Sequence, residues 1–315
     1  IGLQDAIQQA LETQIVDQGK CWTCVAEVSD CLQAVNEDDQ AKMIIYRPSS
    51  GKGSAALEAI FNLLKNIDSS VQQVLLVGDH ACAYDQAWIG YERSIGLAQA
   101  NVQLTVIYNI SSADSISSLL GHVGVYRYHE GTCQQLSIES MAHSPGSVAS
   151  GHSSIKDRAT YLITGGMGGL GQLFAHHLAK QYRANIILLG RTTSGPQHQS
   201  TINELLANGA SSVRYEAIDV SDKTALTALS QDLDVNNIMV TGIIHAAGVT
   251  SDKPITRSSY KDFETVLSPN TNGALALNQV FDKSEWICHF SSSSAFLGDF
   301  GACSYAVGKR FQMAL

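Results

Sequence analysis

At 315 residues the chain has room for one large or two ordinary domains, and 44% hydrophobic with 16% charged residues is the composition of a globular protein with a substantial core. A formal charge of −9 argues against a nucleic-acid surface and would repel an acidic partner protein except at a locally basic patch. No run of eighteen apolar residues is present, so no membrane-spanning helix is expected.

In chain order, residues 1–11 (I-G-L-Q-D-A-I-Q-Q-A-L) read as an amphipathic helix rather than a signal peptide. The seven cysteines are scattered. Cys21 and Cys24 form a C-x-x-C with Cys31 nearby, but no second pair follows at metal-site spacing, so no metal site is expected. The thiols read as reduced, which implies a cytoplasmic compartment. Short apolar runs at 24–28 and 42–46 read as strands. The loop Gly51-Lys52-Gly53-Ser54 is superficially like a phosphate loop but lacks the glycine five positions earlier and the Ser/Thr after the lysine, so it reads as a loop and helix cap. Residues 54–67 carry apolar side chains at helical spacing, 74–77 read as a strand, 85–100 as a helix, and 104–108, 123–128 and 134–138 as further strands. This alternation implies a mostly parallel sheet. The stretch Val77-Gly78-Asp79-His80 follows a strand, but no glycine fingerprint completes it, so the first half reads as a nucleotide-binding fold that does not bind nucleotide.

Residues 144–158 are small and polar and read as a linker. A second, more complete series follows. It comprises a strand ending near 163, a helix over 169–182, a strand at 186–189, a helix around 202–206, a strand at 213–218, a helix at 223–233, a strand at 240–246, a largely helical stretch at 260–281, a strand at 286–291 and a helix from 305. That is a doubly wound α/β sheet. The expected division is 1–155 and 156–315. Because such a fold normally adds another helix and strands to close its substrate pocket, the C-terminal end is expected to be incomplete.

The chemistry begins at Thr164-Gly165-Gly166-Met167-Gly168-Gly169-Leu170-Gly171, a glycine-rich turn from strand to helix that lets backbone N–H groups approach a pyrophosphate. The second strand ends at Arg191, where an acid would bind the ribose 2′-hydroxyl of NAD; the arginine favours the 2′-phosphate of NADP, the plain alternative being a surface arginine. Asp219 and Val220 after the third strand are placed to touch adenine, although Asp219 or Ser221 can equally cap the next helix. His245-Ala246-Ala247-Gly248 ends the fourth strand with small residues that let the backbone pass close to the cofactor, and His245 reads as structural rather than catalytic. Downstream, Ser292, Tyr305 and Lys309 have a Ser-x12-Tyr-x3-Lys spacing. Tyrosine is an acid of pKa about 10 that becomes usable when a cation stabilises its phenolate. Lys309 shares a helix face with Tyr305, and Ser292 can hydrogen-bond the substrate carbonyl.

These residues resemble the short-chain dehydrogenase/reductase superfamily. More narrowly, T-G-G-M-G-G-L-G, L-L-G-R, H-A-A-G-V and F-S-S-S-S-A-F-L-G-D-F-G-A-C-S-Y are similar to the ketoreductase domain of a modular polyketide synthase. The resemblance covers 156–315 strongly. By arrangement it also covers the first half, as that family's truncated structural Rossmann-like subdomain, with Trp88-Ile89-Gly90-Tyr91-Glu92-Arg93 its best local match. It implies NADPH-dependent reduction of a β-ketoacyl thioester on an acyl carrier protein, among neighbouring synthase domains. The family usually places its lysine on the preceding long helix and an asparagine four residues after the tyrosine. Here the two are exchanged, as Asn270 and Lys309, the arrangement of ordinary short-chain reductases, and activity is still expected. The alternatives are a decayed, inactive scaffold in which Lys309 is a surface residue, and a free-standing short-chain dehydrogenase, which the first half argues against. The family's stereochemical markers are a tryptophan at the position of Leu297, absent here, and a Leu-Asp-Asp after H-A-A-G-V, of which only Asp252 remains. The resemblance therefore implies a D-hydroxyl product, with a plain turn residue before Pro254 as the other reading of Asp252.

Overall fold

Apolar runs of four to eight residues, separated by amphipathic stretches, become the central strands, whose two faces are both covered. The computed structural model describes residues 2–17, 42–48, 53–67, 70–98, 101–140, 155–300 and 303–315. The C-x-x-C with Cys31, the strand expected at 24–28, most of the Gly51–Ser54 loop and most of the 144–158 linker lie outside the described residues.

The chain forms two compact units that interleave in sequence. One comprises Ile1–Glu139, Ser251–Glu264 and Ser292–Ala314; the other comprises Ser140–Thr250 and Thr265–Ser291, with Leu315. In the first unit, α1 (Gly2–Asp17), β1 (Lys42–Tyr46), α2 (Gly53–Asn66), β2 (Val71–Gly78), α3 (Ala83–Gln86), α4 (Trp88–Ala98), β3 (Gln103–Tyr108), α5 (Ala113–Ser117), β4 (Gly124–His129) and β5 (Thr132–Gln135) follow one another. Among the described residues the strand order is β1-β2-β3-β4-β5. The first four strands are parallel, and β5 returns antiparallel to β4. That hairpin turns on Glu130 and Gly131, both at positive φ, as a two-residue turn between right-twisted strands requires. The order of these strands never reverses, so they form no switch point of the kind that holds ligands in open α/β sheets. The face of α2 predicted from apolar spacing buries Leu57, Ile60, Phe61 and Leu64, each worth about 1.5–3 kcal/mol. Phe61 also meets Phe263 at 4.9 Å, from the later segment of the same unit.

The second unit carries β6 (Thr160–Thr164), α6 (Gly169–Tyr182), β7 (Asn185–Gly190), α7 (Pro196–Ala207), β8 (Ser212–Ala217), α8 (Lys223–Val235) and β9 (Val240–His245). α9 (Tyr260–Ser268) contains the division at Glu264/Thr265, and α10 (Ala274–Val280) and β10 (Trp286–His289) complete the unit. The sheet order β10-β9-β6-β7-β8 is doubly wound and parallel throughout. Successive residues alternate between two cores. Tyr161, Ile163, Ile186 and Leu188 pack with Leu178 and Leu205, whereas Leu162, Ile187 and Leu189 pack with Leu226, Leu229 and Leu277. Burial of both faces explains why these strands read as continuous apolar runs.

Several expectations are corrected. The helix expected at 85–100 is two helices broken at Ala87, and the break turns the Trp88 ring over Gly78, where a Cβ would lie 2.5 Å from it. The helical stretch 260–281 is interrupted by a π turn, Pro269–Gly273; Pro269 has no N–H to give and its ring opposes the regular ladder. The expected strand at 286–291 ends at His289, where pairing with β9 stops at His245, so Ser292 is not at the end of a strand. The short helices α5 and α11 (Ser294–Leu297) and the 3-10 turn Ile255–Arg257 were too short to show a period. The expected C-terminal helix is α12 (Ser304–Ala314), in the first unit.

Candidate active site

In the second unit, β6 and β9 lie side by side where strand order reverses, with Thr164 opposite His245. The glycine turn therefore opens at the switch point. Gly165 has φ +65°, and a Cβ on it would lie 2.9 Å from the backbone of Ala247. Gly171 passes Gly165 so closely that a Cβ would meet the Gly165 carbonyl oxygen at 2.3 Å. Ala246 N–H donates to the Thr164 carbonyl at 3.2 Å, and Ala247 N–H to Thr164 Oγ1 at 3.1 Å. By contrast, Gly169 has nothing within 4 Å of its Cβ position, and Gly168, at the N-cap of the fourteen-residue α6, supplies no side chain to cap the first turn. Gly168, Gly169 and Leu170 are exposed, and so is Gly248 beyond β9. A positive helix terminus lined by open glycines fits the pyrophosphate of a dinucleotide.

Arg191 is exposed directly after β7. Asp219 is exposed, and its carboxylate accepts the Ser221 N–H at 2.9 Å. The cap of α8 is neither Asp219 nor Ser221 but Asp222, whose carboxylate accepts from Ala225 N–H at 3.0 Å. Val220 is buried and fills the space beside Gly273, where a Cβ would lie 2.8 Å from it. Ser221 Oγ is buried without a hydrogen-bond partner among the described residues. His245 is fully buried, with Nδ1 2.7 Å from Thr164 Oγ1 and Nε2 3.0 Å from the Pro269 carbonyl oxygen. Asn270, next in the π turn, is fully buried; its Nδ2 donates to the Val266 carbonyl at 2.9 Å and its Oδ1 has no partner among the described residues.

In the first unit, Tyr305 stands in the first turn of α12, half-buried. One turn on, Lys309 is 5% exposed, so it is not a surface residue. Its Nζ lies 5.4 Å from the Tyr305 ring centroid and donates to Gln312 Oε1 at 3.0 Å. Burial lowers its pKa to about 8. Ser292 is partly buried; its Oγ accepts the Ser294 N–H at 3.2 Å and lies 3.3 Å from Ser294 Oγ. Leu297 is exposed at the end of α11, and Asp252 is exposed in the segment preceding the 3-10 turn. Burial raises the Asp299 carboxyl, with the negative charge of Asp252 adding to the effect. Thus Tyr305 and Lys309 are brought together in one unit. The glycine turn, Arg191, Asp219, Val220, Ala246, Ala247, Gly248 and Asn270 belong to the other.

Residues 159–315 match the family model described as the KR domain. The chain belongs to the KR domain family. These are the ketoreductase domains of polyketide synthases, a class of oxidoreductase. Polyketide synthase PksM of Bacillus subtilis is 38% identical over 239 residues, which are 74% of this chain and 6% of that protein. The chain thus spans a small part of the curated relative it matches. Among solved structures, an N-terminal ketoreductase from the macrolactin assembly line aligns with TM-score 0.78 at 18% identity, covering 98% of this chain and 72% of the other. The first ketoreductase of the tylosin polyketide synthase aligns with TM-score 0.77 at 20% identity, again covering 98% and 72%. Both likenesses establish the shared fold.

Three packing residues, Gly90, Ser94 and Gly298, carry contacts that the sequence reading did not assign. Gly90 of α4 lets its backbone meet α12 directly, since a Cβ there would lie 2.5 Å from Val307 N. Ser94, one turn on, donates to the Gly90 carbonyl at 2.7 Å and accepts the Asp299 N–H at 3.0 Å. Gly298 is tight against the Arg93 carbonyl oxygen at 2.5 Å by the same measure. The sequence signals were the Trp88–Arg93 match, which contains Gly90, and the F-S-S-S-S-A-F-L-G stretch, which contains Gly298; neither names a partner.

Proposed function

We propose that this KR domain reduces a β-ketoacyl thioester, carried on an acyl carrier protein of a polyketide synthase, to the D-β-hydroxyacyl thioester, with NADPH as reductant. The observation that carries the reading is the Tyr305–Lys309 pair, a phenol and a buried amine on successive turns of one helix, 5.4 Å from ring to Nζ. NADPH, when bound, supplies the hydride. The first-turn N–H groups of α6 hold the pyrophosphate, with Thr164, Gly165, Gly166 and Gly171 shaping the turn and Leu170 flanking it. Arg191 takes the 2′-phosphate, Asp219 and Val220 border the adenine, and the Ala246–Gly248 backbone lines the cofactor. Ser292 hydrogen-bonds the ketone oxygen, and Tyr305 gives that oxygen its proton. Lys309, as the ammonium, stabilises the phenolate left behind. Asn270 occupies the position from which the family usually supplies its lysine.

The D configuration rests on Asp252 and on Leu297 standing where the other stereochemical type has tryptophan. Within the same proposal, the sequence 1–155 has the structural role, 156–315 supplies the catalytic and cofactor-binding residues, with Ser251–Glu264 and Ser292–Ala314 packed in the compact unit of Ile1–Glu139, and the compartment is cytoplasmic. Among the described residues, no helix is long and apolar enough to cross a membrane. The test is NADPH oxidation on addition of a β-ketoacyl thioester, in wild type and Tyr305→Phe. The wild type turns over and the variant binds NADPH but does not reduce. Equal rates in both would assign the proton to another group.

A further inference from the structure

We propose that His245 is a positioning residue: an imidazole protonated on Nε2 alone, which ties the π turn carrying Asn270 to the strand end that opens the glycine turn. Its effect on turnover rests on the function proposed above; its tautomer and its effect on Asn270 do not.

The hydrogen-bond directions follow from which groups can donate. The Pro269 carbonyl, 3.0 Å from Nε2, has no proton, so Nε2 carries one and donates. The ring has no exposed surface, and a second proton would place a charge in a dry interior at high cost. Nδ1 is therefore an acceptor, and the Thr164 hydroxyl, 2.7 Å away, donates to it. The same oxygen accepts the Ala247 N–H at 3.1 Å. The result is a one-way relay, with Ala247 N–H donating to Thr164 Oγ1, the Thr164 hydroxyl to Nδ1, and Nε2–H to the Pro269 oxygen. A single ring thereby joins the ends of β6 and β9 to the turn at Pro269–Gly273.

That turn is where a fixed anchor matters. It departs from the regular helical ladder, and its first residue is a proline without an N–H. Asn270 follows directly, with Nδ2 committed to the Val266 carbonyl and Oδ1 buried without a partner among the described residues. The aim of Oδ1 then depends on where the Pro269–Asn270 peptide is held. The His289 ring, edge-on to His245 at 5.4 Å, packs beside the imidazole. An aliphatic residue at 245 would fill the volume but leave the Pro269 oxygen and the Thr164 hydroxyl without this partner.

The test uses the full chain with 15N-labelled histidine and asparagine, free of cofactor. The His245 signals, assigned by their loss in His245→Gln, are expected to show a protonated Nε2 and an unprotonated Nδ1. A proton on Nδ1, alone or in addition, overturns the relay. Two variants separate the ends of the ring, because the Gln amide reaches the place of Nε2 and can still donate to the Pro269 oxygen, whereas the shorter Asn amide reaches only the place of Nδ1, beside the Thr164 hydroxyl. The Asn270 side-chain amide resonance is expected to stay in place in His245→Gln and to move in His245→Asn. In turnover, His245→Asn is expected to lose about tenfold in kcat, the worth of one buried hydrogen bond, with the KM for NADPH unchanged, while His245→Gln stays near wild type. Equal shifts of the Asn270 resonance in both variants, or in neither, overturn the positioning role. If wild type reduces no ketone, the function proposed above fails while the two resonance measurements still decide this one.

Discussion

In the proposed reaction, the burial of Lys309 would act on both rate and stability. Its folded pKa of about 8 is below the ordinary lysine value of 10.5 because the charged form is buried. As pH rises through about 8 the ammonium is lost, and the phenolate of Tyr305 loses its cation. The rate should therefore fall on the alkaline side with an apparent pKa near 8. Stability should move the other way. Between about pH 8 and 10 the unfolded chain holds more protons at this lysine than the folded one, so its contribution to unfolding free energy rises with pH. A kcat–pH profile measured beside urea titrations checks both signs; a profile flat through pH of about 9 would remove Lys309 from the chemistry. Tyr305→Phe should cost about 10²–10⁴-fold in kcat, the range for a lost general acid, with the dissociation constant for NADPH unchanged. Arg191→Ala should raise the KM for NADPH about tenfold to a hundredfold, the worth of one charge-assisted contact, and leave that for NADH nearly unchanged. Equal effects on the two cofactors would deny Arg191 the 2′-phosphate. The positions of these residues were legible because the signal is local: a spacing on one helix, a position after one strand. The burial of Lys309 was not, since an i, i+4 pair reads the same on a solvated face.

At the scale of elements, α4 provides an internal comparison. Gly90 and Gly96 lie on the same helix, where exchanging glycine for alanine normally gains about 1 kcal/mol. At Gly96 nothing among the described residues lies within 4 Å of the new Cβ, so Gly96→Ala should gain up to that amount. At Gly90 the Cβ meets the backbone of α12 at Val307, which cannot swing aside as a side chain would. Gly90→Ala should instead lose about 1–3 kcal/mol, the cost of overpacking, and reduce turnover because α12 carries Tyr305 and Lys309. Urea titration of the two variants reads the opposite signs; the same sign for both would mean that the two helices are not in backbone contact. Strands and long helices were readable because burial of both sheet faces, or of one helix face, writes a pattern across many residues. The π turn at Pro269–Gly273 was not, because P-N-T-N-G carries no apolar period and Pro269 marks a break without specifying its geometry.

At the scale of the molecule, the doubly wound order of the second sheet was legible from the glycine turn and the alternation that follows it. The interleaving of the two units was not, because it depends on contacts far apart in sequence, such as Phe61 with Phe263 and Ser94 with Asp299. It has a consequence for dissection. The segments Ser251–Glu264 and Ser292–Ala314 pack with Ile1–Glu139, so a fragment of residues 156–315 leaves α12 without α4. That fragment should express as an aggregating or partly folded chain, and co-expression with 1–155 should recover a folded pair. A monodisperse, fully folded 156–315 by circular dichroism and gel filtration would contradict this. The most direct measurement of the central claim is NADPH oxidation by the 315-residue chain with a simple β-ketoacyl thioester, the product being separated on a chiral column. The account predicts one NADPH consumed per hydroxyl formed, a predominantly D product and loss of the reaction in Tyr305→Phe. No NADPH consumed, or a predominantly L product, would contradict it.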